Sequence, residues 1–186
     1  MVAVKTLRKF CSTTAMTFPE KQHFYRSALL LLVAAWEAYI EDLVRIAYKE
    51  TAPLAAPHQI HLIYKHGIAE KLTESLVKAY NTPNYDKTRD LLMRAAQFDL
   101  TSHSSWKGST RLDTQRRLDE IVRVRHSVAH GFALPALSWT TAPSGQIRLT
   151  SESIDSSVRF LNKLVDTIEV GLKAHLEAAT GITLKW

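Results

Sequence analysis

Arg125 and His130 stand five residues apart in the segment Arg125-His126-Ser127-Val128-Ala129-His130-Gly131, and both side chains suit phosphate chemistry. A guanidinium offers a rigid fork of donors to phosphate oxygens that lysine cannot reproduce. An imidazole takes up or gives a proton near neutral pH. Cleaving RNA through its 2′-hydroxyl needs a base to activate that hydroxyl and an acid to protonate the departing 5′-oxygen, so His126 beside the pair adds a second candidate. Residues five apart on a helix are separated by about 140° of rotation and about 7.5 Å of rise. One chain therefore does not easily turn Arg125 and His130 onto the same phosphate, and convergence needs a helix end or a second copy related by symmetry.

Arg125 also continues the apolar stripe Leu118, Ile121, Val122, Val128 and Ala129, a register built for burial. A guanidinium in that register requires a partner, and the acid embedded in the apolar helix around Trp36, Glu37, is the expected one. Two readings stay open on the residues alone. Arg125, His126, His130 and Glu37 form a catalytic group, or Arg125 and Glu37 are a structural ion pair and His130 only closes a helix ahead of Gly131.

Other candidates carry less. His126 and His130 have the i, i+4 spacing of a two-histidine metal site, but no third ligand is evident, so no metal is expected there. His58, His61 and His66 lack matching cysteines or carboxylates and read as helix surface. Glycine-rich phosphate loops are missing, which removes most nucleotide-dependent chemistry and leaves no cofactor to expect. Lys107, Arg111, Arg116, Arg117 and Arg123 outnumber Asp113, Asp119 and Glu120 ahead of the motif, giving a basic strip that could hold an RNA backbone or else a solvated helix face. Trp106 and Trp139 read as core aromatics before base-stacking ones.

The elements that must position these residues are helical. The chain has 186 residues, 46% of them hydrophobic, which suits one domain spanning 1–186 with its core near 20–180. Leu29, Leu32, Val33, Trp36, Ile40, Leu43, Val44 and Ala47 mark a long helix over 20–50. Further helices are predicted from His58 to Ala79 with Gly67 weakening the middle, over 86–96, from a capping box at Thr110 and Asp113 onward, and over 152–179 ahead of Gly181. A short helix around Val4, Leu7 and Arg8 is an open choice, residues 101–109 read as a loop, and residues 133–149 read as a small hairpin or irregular excursion. The predicted fold is all-α, an up-and-down bundle of four to five helices with that excursion before the last one.

Lys and Arg number 24 against 18 Asp and Glu, a net charge of +6 that favours polyanions such as RNA. The single cysteine, Cys11, fits a reducing, cytoplasmic setting. The longest apolar run, residues 28–36, is about half a membrane span, so no membrane contact is expected. The all-round apolar stretch 29–33 is expected to exceed what one chain covers, which predicts a homodimer.

The Arg-x4-His motif of Arg125 and His130, the polar His126 after the arginine, and the acid-bearing helix around Glu37 together resemble domains of the HEPN superfamily, of the RiboL-PSP-like kind. The resemblance implies a helical, metal-independent endoribonuclease acting as a dimer, with one motif from each subunit lining a shared cleft. It also implies a toxin or phage-defence setting, with a neutralising protein partner. In HEPN domains that pair with a nucleotidyltransferase, a tyrosine stands two residues after the histidine as a modification target. Phe132 occupies that position here, which argues against such regulation.

Overall fold

The computed structural model describes residues 16–51, 60–181 and 183–185. The expected N-terminal helix around Val4, together with Pro53, Pro57 and His58, lies outside the described residues, as do the side chains of His61 and His66. The chain is all-α. Among the described residues are five α-helices, named here α1 (Phe18–Thr51), α2 (Ile60–Lys78), α3 (Tyr85–Ala96), α4 (Arg111–Ala129) and α5 (Ser151–Thr180), with a 3-10 helix at Leu100–His103 between α3 and α4. None is long and apolar enough to cross a membrane.

The helix ends follow local chemistry. Thr17 donates its backbone N–H and its hydroxyl to Glu20, each at 2.7 Å, which starts α1 two residues ahead of the predicted boundary. Thr110 and Asp113 bond reciprocally, the Thr110 N–H and hydroxyl donating to Asp113 Oδ2 while the Asp113 N–H donates to Thr110 Oγ1, so aspartate closes this capping box. Asn84 caps α3 through the Lys87 N–H. Gly181, at φ +72°, follows the end of α5.

Two compact units group the contacts, 1–36 with 115–163, and 37–114 with 164–186. In the first, the interior comprises Leu29, Leu32, Val33 and Trp36 of α1, Leu118, Ile121 and Val124 of α4, and Ile154 and Leu161 of α5. The excursion predicted as a hairpin or irregular segment is irregular, holding a single antiparallel bridge between Thr141 and Ile147 closed by the turn at Gly145. Side chains satisfy its backbone instead of a ladder: the Gln22 amide donates to Leu149 O at 2.7 Å and accepts from Leu149 N at 3.2 Å, and the Ser153 hydroxyl donates to Trp139 O at 2.8 Å. Leu29, Leu32 and Val33 are buried within this unit and Leu31 remains 44% exposed, so the chain itself covers most of the apolar stretch expected to need a partner.

In the second unit the α1 stripe continues through Ile40, Leu43, Val44 and Ala47, and α5 contributes Leu164, Ile168, Leu172 and Leu176. Leu164 is fully buried, whereas its neighbour Val165 is only half-buried. Arg45 joins α1 to α2 through Glu74, Nε to Oε1 at 3.0 Å. The segment read as a loop holds the 3-10 helix, capped by Asp99, and a bridge between Trp106 and Ser109. His103 stacks on Phe98 with ring centroids 4.7 Å apart, and His175 meets the Phe98 edge while its Nε2 lies 3.0 Å from Ala96 O. Gly171 makes room for this cluster, since a Cβ there would sit 2.6 Å from His103 Nδ1.

Replacing Gly171 with alanine is expected to destabilise the protein by about 1–3 kcal/mol through overpacking, read as a lower urea midpoint, because the stacked His103 ring cannot swing aside freely. Asp99 supplies a pH-dependent contribution. Hydrogen bonds from Arg89, first, and from Thr101 hold its carboxyl well below the usual carboxylate range. A carboxyl depressed in the folded state stabilises above its unfolded value, near pH 4, and that stability is lost as pH falls. The pair is partly exposed, so on the order of 0.5–1 kcal/mol is expected. Asp99→Asn should cost that amount at pH 7 and flatten the unfolding profile below pH 4.

Candidate functional site

Gly131 ends α4 with φ +69°, a conformation that costs a residue with a Cβ about 1–2 kcal/mol. The Phe132 N–H donates to Ser127 O at 2.8 Å and the Gly131 N–H approaches Val128 O at 3.4 Å, the paired closure of a Schellman motif. His130 keeps helical geometry up to this point, its N–H donating to His126 O at 3.1 Å. The two imidazoles therefore stand one turn apart on one face, exposed, with centroids 4.3 Å apart and planes at 49°. Phe132 folds back toward them, its ring 5.7 Å from His130 at 24° and 6.0 Å from His126.

Arg125 is half-buried although Leu118, Ile121 and Val124 around it are fully buried. An arginine in an apolar arc behaves this way when its stem packs and its head stays hydrated. Glu37 is half-buried on α1 as the first residue of the second unit. Its charge, with that of Glu41, adds to the burial that chiefly pushes the Tyr80 hydroxyl above its ordinary range, against the opposing hydrogen bond with Thr88 at 2.7 Å.

The basic strip divides in two. Lys107, Arg111, Arg116 and Arg123 are exposed. Arg117 is not: its guanidinium lies 4.2 Å from the centre of the Trp139 ring, donates to the hydroxyls of Ser156 and Ser157 at 3.1 and 3.3 Å, and stands 3.9 Å from Glu120. Trp139 Nε1 in turn donates to Glu120 at 3.0 Å. Burial lowers the Arg117 pKa, partly offset by the Glu120 carboxylate. Arg117 and Trp139 thus pack on each other and hold the excursion to α4 and α5. Charge counting could not separate Arg117 from Arg116, because only the helix register turns one of them inward.

Sequence reading missed a cavity of about 280 Å³ at the start of α5, lined among others by Trp139, Arg148, Glu152, Ser153 and Ser156. None of Arg125, His126 and His130 lines it. Among the described residues no three His, Cys, Asp or Glu side chains are placed to hold a metal ion.

The helix α4, buried along one face, thus ends in two exposed histidines one and five residues beyond a half-buried arginine. The RiboL-PSP-HEPN family model covers residues 3–174, and the chain belongs to that family. No curated protein and no solved structure gives a significant match.

Arg117→Ala should lower stability by about 1–3 kcal/mol, since it strands Glu120 and unseats Trp139, whereas Arg123→Ala should stay within about 0.5 kcal/mol. Urea denaturation of the two variants side by side checks the division of the strip.

Proposed function

We propose that this protein is a metal-independent endoribonuclease whose site forms between two copies of the chain, each contributing Arg125, His126 and His130. The observation that carries the reading is the pair of exposed imidazoles at the end of α4, in a chain of the RiboL-PSP-HEPN family. In the proposed reaction one imidazole removes the proton of the 2′-hydroxyl, whose oxygen bonds to phosphorus. The bond from phosphorus to the 5′-oxygen breaks, and a second, protonated imidazole gives that oxygen its proton. The products are a 2′,3′-cyclic phosphate and a 5′-hydroxyl.

Distance argues for two copies. Base and acid approach opposite sides of the phosphorus in an in-line displacement, each through a hydrogen bond of about 2.8 Å, so their nitrogens stand well over 6 Å apart. Rings with centroids 4.3 Å apart on one face of a helix are poorly placed to straddle a phosphate that way. His130 from each copy can, leaving His126 to hold a phosphate oxygen. Arg125 stabilises the charge growing on the phosphate. Arg123 and Arg116, exposed on α4 ahead of the motif, guide the RNA backbone. Uncontrolled cutting of this kind is toxic to a cell, which fits a toxin or phage-defence role restrained by a neutralising protein.

Purified protein should cleave RNA in EDTA and leave cyclic phosphate ends. His130→Ala should fold normally and lose about 10²- to 10⁴-fold in rate. A well-folded His130→Ala that cuts at the wild-type rate, or activity abolished by EDTA and restored by zinc, overturns the mechanism. RNA binding without cleavage by the wild type would instead identify a non-catalytic RNA-binding helical protein.

A further inference from the structure

Phe132 is 61% exposed, although the motif that positions it normally gives such a residue an apolar partner. In a Schellman closure the residue after the glycine packs on the third or fourth residue before the helix end. Those positions here are Ser127 and His126, a serine and an imidazole. Backbone hydrogen bonds therefore fix where the Phe132 side chain leaves the main chain, and its ring lies near-parallel to His130 at 24° and is presented to solvent.

Its surroundings select what covers it. Arg116, Arg123 and His130 follow one another at seven-residue intervals, a spacing that drifts only about 20° around a helix, and all three are exposed. An apolar partner segment laid along this face would strip water from three cationic or titratable side chains without returning a charge. A second copy can share this face only across a bound anion, since direct packing would set arginine against arginine. A single-stranded polyanion answers both demands, its phosphates following the stripe and one of its bases covering the ring.

We infer that Phe132 is the base-stacking residue of the site, a sequence-tolerant platform that seats the nucleobase next to the phosphate held at His126 and His130. The inference rests on the ribonuclease reading for the identity of that phosphate. Stacking on an aromatic ring contributes enough per base for its loss to weaken binding about 5- to 100-fold. Because the ring touches no phosphate, its removal should leave the dependence of affinity on salt unchanged, while Arg123→Ala reduces the logarithmic salt slope by about 1.

The test is fluorescence anisotropy of a mixed-sequence 12-nucleotide 2′-O-methyl RNA, which lacks the attacking hydroxyl and cannot be cut. Wild type, Phe132→Ala, Phe132→Leu and Phe132→Trp are titrated at several salt concentrations, and each is sedimented at the same protein concentration. Expected are about fivefold or greater weakening for alanine and leucine, wild-type or tighter binding for tryptophan, and equal salt slopes. Alanine or leucine binding as wild type, absence of binding by the wild type, or a weakening matched by loss of the dimer overturns the inference. Phe132-dependent binding by a protein that leaves unmodified RNA intact would sustain this assignment while ending the ribonuclease reading.

Discussion

One backbone torsion governs the histidine end of the molecule. At φ +69° Gly131 turns the chain sharply enough for its own N–H to close on Val128 and that of Phe132 to close on Ser127, and α4 stops there. His126 and His130 owe their common face to the last helical turn before this closure. Phe132 owes its position to the first residue after it. No Cβ at Gly131 would collide with a neighbour, so the requirement for glycine is purely conformational. The side chains with chemical potential are thus registered to one another by main-chain geometry, a firmer reference than packing of exposed rings could supply.

The excursion between α4 and α5 shows a second economy of means. Seventeen or so residues without a regular ladder are usually hard to hold in place, because backbone groups left unpaired cost free energy. Here Gln22 acts as a surrogate strand for Leu149, Ser153 both caps α5 and binds Trp139 O, and Thr140 accepts from Leu137 N and donates to Pro135 O. Arg117 then clamps the indole. A polar framework of side-chain-to-backbone bonds replaces the sheet.

Much of this was legible from residue order, and the remainder divides by physical cause. Helical periodicity located α1, α4 and α5, because a stripe repeating every three to four residues leaves little else to form, and Thr110 with Asp113 and the glycine at 131 marked the limits of α4. Thr17 and Glu20 carried the same cap signal for α1, and a helix begun at residue 20 leaves its capping residue outside. The 3-10 helix could not be inferred from a polar segment whose capping depends on Asp99 being engaged by Arg89. Gln22 and Leu149 lie 127 positions apart, beyond any local pattern. At the site, the residues of the motif could be named, but their division into inward and outward charges could not, since Arg116 and Arg117 are neighbours that differ only in the direction the helix points them.

The Arg117 clamp has an evolutionary consequence. Its cation stacks on Trp139, approaches Glu120 and is tied to the hydroxyls of Ser156 and Ser157, while Glu120 also takes the indole N–H. A change at one member leaves a charge or a donor half-buried without its complement, so intermediates along any path of single substitutions are poorer than either end. These positions are therefore bound to drift as a block. A lineage that gave up the arginine would have had to replace the tryptophan and the glutamate with apolar residues of similar volume at nearly the same time, and the surviving sequences should carry one complete set or the other.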